Sequence, residues 1–152
     1  MIDTGDQDLF VLRRARSNHE IIKVDRGYWQ KFVDEYLVGT GAVSQGAIIG
    51  RDGNIWAISP GFELKDGEGK QIVANFKDTS NVSETGVTVG GIEYVATKAE
   101  NGSIYGEKDA TGVILVQTTH AVVIGLYGEK QQPGNATAVT EKLAQYLIEN
   151  GH

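Results

Sequence analysis

Apolar residues recur along this chain with two periods, and the switches between them mark its elements. Trp29, Phe32, Val33, Tyr36 and Leu37 fall at i, i+3, i+4, i+7 and i+8, the stripe of an amphipathic helix that Asp25 is placed to cap and Gly39 to end. Short apolar runs at 46–49 and 54–58 flank Arg51-Asp52-Gly53, where Asp-Gly supplies the positive-φ positions of a hairpin turn. Ile72, Val73 and Phe76 share one face of a second helix, whose first half is loosened by Gly67 and Gly69. Strand-like runs follow at 87–89, 92–98, 103–107, 113–117 and 121–127, with Gly90-Gly91 and Asn101-Gly102 as tight turns between the first three. Their spacing leaves no room for crossover helices, so the sheet is predicted to be largely antiparallel. Beyond Gln132-Pro133-Gly134-Asn135 the helical period returns, with Asn135 as the predicted N-cap and Ala136, Val139, Leu143, Tyr146 and Leu147 on one face. The predicted order is α-ββ-α-βββββ-α, an α+β fold.

The first 24 residues sustain no period. Leu9, Phe10 and Leu12 form an apolar patch between Asp6/Asp8 and Arg13, Arg14 and Arg16, a charge order suited to a helix but in a segment too short to hold one alone. Residues 1–24 therefore read as a flexible or loosely docked extension, or as a segment adding helix or strand to the domain that spans 25–152.

At 152 residues and 16.4 kDa, with 40% hydrophobic residues, the chain builds one domain with a real core. It has no cysteine, which excludes disulfides, thiol catalysis and thiolate metal sites. Acids balance bases in residues 1–24, so the net charge of −6 belongs to the domain, which lacks the basic stripe that nucleic acid requires. Asp3, Asp6 and Asp8 stand where a secretory signal carries bases, and no apolar run approaches the ~18 residues of a membrane span, so the expected compartment is the cytoplasm. His19, His120 and His152 lack metal-ligand spacing, there is no Gly-x-Ser-x-Gly elbow, and Gly39-Thr40-Gly41 lacks the strand-before-helix context of a phosphate loop. The acid pairs Asp34/Glu35 and Glu63/Asp66 read as solvated helix faces. A binding protein without cofactor or metal is expected, not an enzyme.

Seven blocks, in order and at compatible spacing, resemble the profilin family over residues 25–152. They are Trp29-Gln30-Lys31-Phe32-Val33-Asp34, Gly50-Arg51-Asp52-Gly53-Asn54-Ile55-Trp56-Ala57, Gly90-Gly91-Ile92-Glu93-Tyr94, Ile104-Tyr105-Gly106-Glu107-Lys108, Ala121-Val122-Val123-Ile124-Gly125-Leu126-Tyr127, Pro133-Gly134, and Glu141-Lys142-Leu143-Ala144-Gln145-Tyr146-Leu147-Ile148. The resemblance implies a central antiparallel sheet of six or seven strands, with the N- and C-terminal helices side by side on one face and a shorter helix on the other. It also implies a cytoplasmic, monomeric cytoskeletal protein that binds actin monomers, regulates filament assembly and takes proline-rich segments on a second surface. A polyproline II helix has little entropy left to lose and stacks its rings on flat aromatics. Trp29, Phe32, Trp56, Tyr146 and His152 match the family's aromatic groove. Phe32 stands where tyrosine is usual and His152 where an aromatic or leucine is usual, so a weaker groove is expected.

By position, the actin-facing surface implied by the resemblance comprises Ile72, Val73 and Phe76, then Lys98, Tyr105, Glu107 and Lys108, then Gln117, Gly134, Asn135, Ala138 and Glu141. Tyr105 and Glu107 replace frequent basic residues, which lowers attraction to an acidic partner and to phosphatidylinositol bisphosphate. Arg13, Arg14 and Arg16 offer a replacement lipid-binding or regulatory cluster. The competing assignment for every aromatic is the core. Val33, Tyr36, Leu37 and Leu143 complete the buried stripes and are expected inside, Trp29 and Tyr146 in the groove, while strict alternation along 55–57 leaves the facing of Trp56 open. The alternative function is a small-molecule or lipid-sensing α/β sandwich with an internal pocket and no actin activity.

Overall fold

The computed structural model describes residues 26–152; the readings for residues 1–24 and for capping by Asp25 lie outside the described residues. Helix α1 (Arg26–Lys31) continues as a π turn (Phe32–Leu37) and a 3-10 turn (Val38–Thr40). Strands β1 (Gln45–Gly50) and β2 (Ile55–Ile58) precede helices α2 (Glu68–Lys77) and α3 (Val82–Thr85). Strands β3 (Val87–Val89), β4 (Ile92–Glu100), β5 (Ser103–Lys108), β6 (Thr111–Gln117) and β7 (Ala121–Tyr127) then lead to helix α4 (Pro133–Glu149). The seven strands form one sheet ordered β2-β1-β7-β6-β5-β4-β3, with every neighbouring pair antiparallel.

Alternation along the central strands gives the sheet two buried faces. Ile48, Ile114, Val116, Ala121, Val123 and Tyr127 pack under α1 and α4, while Ala47, Ile49, Val113, Leu115, Val122 and Ile124 pack toward α2 and α3. Helix α4 buries Ala136, Thr140, Leu143, Ala144 and Leu147. It lies close over β7 because Gly125 has no side chain: a Cβ there would run into the Thr140 hydroxyl. Helix α2 turns Ile72 and Val73 into the opposite core.

Three local readings change. The amphipathic stripe of the first helix is right in composition, but its second half is wound as a π turn in which the Val38 N–H donates to the Val33 carbonyl. Helix α4 begins at Pro133 with Gln132 as its N-cap, because proline's fixed φ is already helical and its missing N–H costs nothing in the first turn; Asn135 lies inside that turn. The short turns between α2 and β3, where Asp78 caps Thr79–Asn81 by accepting from the Ser80 N–H at 3.1 Å, have no apolar period to announce them.

Two polar contacts fix the ends of the sheet. The Gln30 amide donates to the Ile58 carbonyl at 2.8 Å and accepts from the Ile58 N–H at 3.3 Å, covering edge strand β2 as a neighbouring strand would. The Glu68 carboxylate, buried at the start of α2, accepts from the N–H groups of Gly90 and Gly91 at 2.6 and 2.7 Å and so ties the β3–β4 turn to the helix. Removing it leaves two amide donors without their charged acceptor. Glu68→Ala is expected to destabilise the fold by about 2–3 kcal/mol in urea unfolding, with Gly90 and Gly91 among the amides that lose protection from hydrogen exchange.

Candidate functional site

The β1–β7 pairing, from Gln45↔Leu126 to Gly50↔Ala121, sets the first and last helices against each other on one face. Between them lies a continuous cluster of rings. Trp29 stands 4.7 Å from Trp56, 5.9 Å from Phe32 and 4.9 Å from the His152 imidazole, measured between centroids. Phe32 is 5.9 Å from Tyr146 and 5.7 Å from Tyr36. Trp29, Phe32, Trp56, Tyr146 and His152, separated by up to 123 positions in sequence, are therefore brought together.

The cluster is layered. Trp29 and Phe32 are 5% and 6% exposed and form a floor, whereas Tyr146 at 49% and Tyr36 at 48% stand along its rim. Tyr36 is thus corrected from core to surface. In the π turn each residue advances by less than the about 100° of an α-helix, so Leu37 takes the centre of the buried stripe and Tyr36 swings out beside Phe32. Trp56 owes its place to a bulge: Ile48 pairs with Ala57 and Ile49 with Ile55, so Trp56 is the extra residue, and it packs on the same side as Ala57 instead of alternating with it. Tyr28, 39% exposed, was missed. Its ring stands edge-on to both Trp29 and Phe32, at 5.1 Å from each, and its hydroxyl lies 3.3 Å from His152 Nε2. The spacing Tyr28, Phe32, Tyr36 at i, i+4, i+8 is the signal that could have found it.

His152 is held by its backbone. Its N–H donates to the Leu147 carbonyl at 2.8 Å, and its carbonyl accepts from the His120 N–H at 2.6 Å and the Thr118 hydroxyl at 2.9 Å. Partial burial, and then the nearby His120, hold its imidazole below the usual histidine value.

A second surface lies on the other flank of α4. Another bulge, between Ala96↔Gly106 and Lys98↔Tyr105, makes Thr97 the extra residue and sets Lys98 opposite Tyr105 on the α4 side of the sheet. The Lys98 ammonium sits 5.5 Å from the Tyr105 ring, and the Tyr105 hydroxyl donates to Glu141. Burial first, then that hydrogen bond, raise the phenol's pKa above its usual value, so it stays a donor. Lys98, Tyr105, Gln117 and Glu141 line one open depression with Gln145 and Ile148; Phe76, half-buried, borders the adjoining one beside Gln117. Glu107, Lys108, Gly134, Asn135 and Ala138 are exposed. Ile72 and Val73 are corrected: they are 0% and 5% exposed, because the apolar stripe of α2 has to face the sheet, and they cannot touch a partner. Val95, 67% exposed and paired with Glu107, is an apolar residue of this surface that the alternation along β4 conceals.

A model of the Profilin family matches residues 27–152. The chain belongs to the profilin family. It is 56% identical to profilin-P of Physarum polycephalum over 124 residues, which is 82% of this chain and 98% of that one. Among solved structures, profilin II of Acanthamoeba castellanii superposes with a TM-score of 0.79 at 49% identity, covering 82% of this chain and 99% of the other. A mouse profilin IIa, solved in complex with a double repeat from the FH1 domain of mDia1, shares the fold with a TM-score of 0.68 at 21% identity, over 82% and 99% of the two chains. This profilin therefore carries the family fold with the N- and C-terminal helices side by side, as the resemblance implied.

Because the folded state of this profilin favours the neutral His152 ring, it binds fewer protons than the unfolded chain below the ordinary value of 6.5. That stabilisation is complete above this value and is lost as the pH falls beneath it. Urea midpoints are expected to drop as the pH falls below about 6.5, and to drop less in His152→Gln.

Proposed function

We propose that this profilin binds actin monomers on the β4–β5–β6 surface beside α4, binds proline-rich polyproline II segments in the groove between α1 and α4, and so regulates filament assembly. The observation that carries this reading is the family match over residues 27–152, together with the gathering of Trp29, Phe32, Trp56, Tyr146 and His152 between the terminal helices. The groove offers what the ligand needs. Ring faces of Tyr36 and Tyr146 reach solvent for prolyl rings to stack on, and the Tyr146 hydroxyl can donate to a prolyl carbonyl, which has no N–H neighbour to satisfy it. The strand surface offers Lys98 and Lys108 to an acidic partner, Glu107 and Glu141 to basic side chains, and Val95 as an apolar contact.

The protein acts as a monomeric, cytoplasmic, non-enzymatic binder that sequesters or delivers actin monomers. No described helix is long and apolar enough to cross a membrane. With a net charge of −6 the chain holds phosphatidylinositol bisphosphate weakly, and Arg13, Arg14 and Arg16 are the cluster assigned to that contact. A fully extended stretch of 24 residues spans at most about 80 Å, and Leu9, Phe10 and Leu12 are the side chains assigned to competition for the groove. A small-molecule or lipid sensor would need a pocket between sheet and helices, where this protein places fully buried Ile48, Ile114, Val123 and Leu147 on one side and Ile49, Ile72 and Leu115 on the other.

The two surfaces are separable by mutation. Tyr146→Ala is expected to weaken binding of a proline decamer by about 2–10-fold, read by tryptophan fluorescence, while leaving the inhibition of actin assembly unchanged. Lys98→Glu should do the reverse. Parent-like behaviour of both variants in both assays would remove the assignment.

A further inference from the structure

Resting on the groove reading, we propose that Tyr28 is a lid over that groove, closed on the Trp29–Phe32 floor and latched by its hydroxyl to His152, so that a proline-rich segment binds only after displacing it. A groove that stacks prolyl rings needs an open aromatic face, yet its two floor rings are 5% and 6% exposed. Tyr28 contributes to that shielding. It meets Trp29 at an interplanar angle of 82° and Phe32 at 89°, each with centroids 5.1 Å apart, so one ring stands edge-on over both. Its hydroxyl reaches across to the other end of the chain, 3.3 Å from His152 Nε2, and its ring is 6.0 Å from the imidazole.

The other neighbours of the floor are placed differently. Trp56 supports Trp29 from strand β2, and Tyr36 and Tyr146 flank Phe32 in tilted arrangements without touching Trp29 closely enough to form a ring pair. Tyr28 is the ring that bridges the Phe32 side of the floor and His152. The edge-to-face contacts with Trp29 and Phe32 and the hydrogen bond to His152 are each of the size that a competing ligand can replace. A closed lid reduces the apparent affinity by the fraction of molecules that are open.

The test is a tryptophan-fluorescence titration of the full chain with acetylated, amidated decaproline. Tyr28→Ala should bind about 3–10-fold more tightly than the parent, and Tyr28→Phe, which keeps the ring and loses only the latch, about 2-fold more tightly. In the parent, NMR contacts from the Tyr28 ring to Trp29 and His152 should vanish at saturation. Equal or weaker binding by both variants, or survival of those contacts in the saturated complex, overturns the lid. Failure of parent and both variants to bind at millimolar peptide, with actin assembly still inhibited, overturns instead the groove reading on which the lid rests.

Discussion

The pairing of β1 with β7 is the constraint on which the rest of this molecule depends. It joins the first hairpin to the last strand over six residue pairs, and because α1 precedes β1 and α4 follows β7, both helices are delivered to the same face. Hydrophobic burial then holds them there: Val33, Leu37, Leu143 and Leu147 are almost wholly removed from water against Ile48 and Val123. No contact between the helices alone would specify this arrangement. The aromatic cluster is a consequence of sheet order, and a slip in the β1–β7 register would turn Ile48 to the wrong face and disperse the rings.

Within that frame, departures from regular geometry aim side chains of the two proposed binding surfaces. The bulge in β2 turns Trp56 onto Trp29, the bulge in β4 sets Lys98 over Tyr105, and the π turn after α1 moves Tyr36 to the surface beside Phe32. Each irregularity leaves or lengthens a hydrogen bond that a regular element would have made, and each is found where a side chain emerges at a surface. Core positions such as Ile114 and Leu115 on β6 keep strict alternation, since they have only to be buried.

This division explains how far the fold could be read from residue pattern. Element order, the antiparallel sheet and the face of α4 followed from apolar periods, because burial imposes those periods directly. Tyr36 was misplaced by the same reasoning, which assumes a uniform turn per residue and cannot see a π turn coming. Trp56 was undecidable for the equivalent reason in a strand. Ile72 and Val73 were carried to the actin surface by positional resemblance, although their own helical spacing marked them as core; the physical pattern was the better guide there. Tyr28 lies one position off the Trp29 stripe and so outside its period, though its own spacing to Phe32 and Tyr36, at i, i+4 and i+8, is legible in the sequence.

Helix α4 is the wall between the two proposed binding surfaces, and its geometry decides whether they interfere. At about 100° per residue, Tyr146 and Val139 fall on the flank facing α1, whereas Glu141, Gln145 and Ile148 fall on the flank facing β5, with the buried arc of Leu143, Ala144 and Leu147 between them. A ligand on one flank therefore approaches from a different side than a ligand on the other. The helix itself is clamped to the sheet through that buried arc and through the close approach at Gly125, so displacement at one flank would have to break core packing before it reached the other. If both surfaces bind as proposed, this geometry favours simultaneous occupancy, and the ring proposed to move when the groove fills is Tyr28.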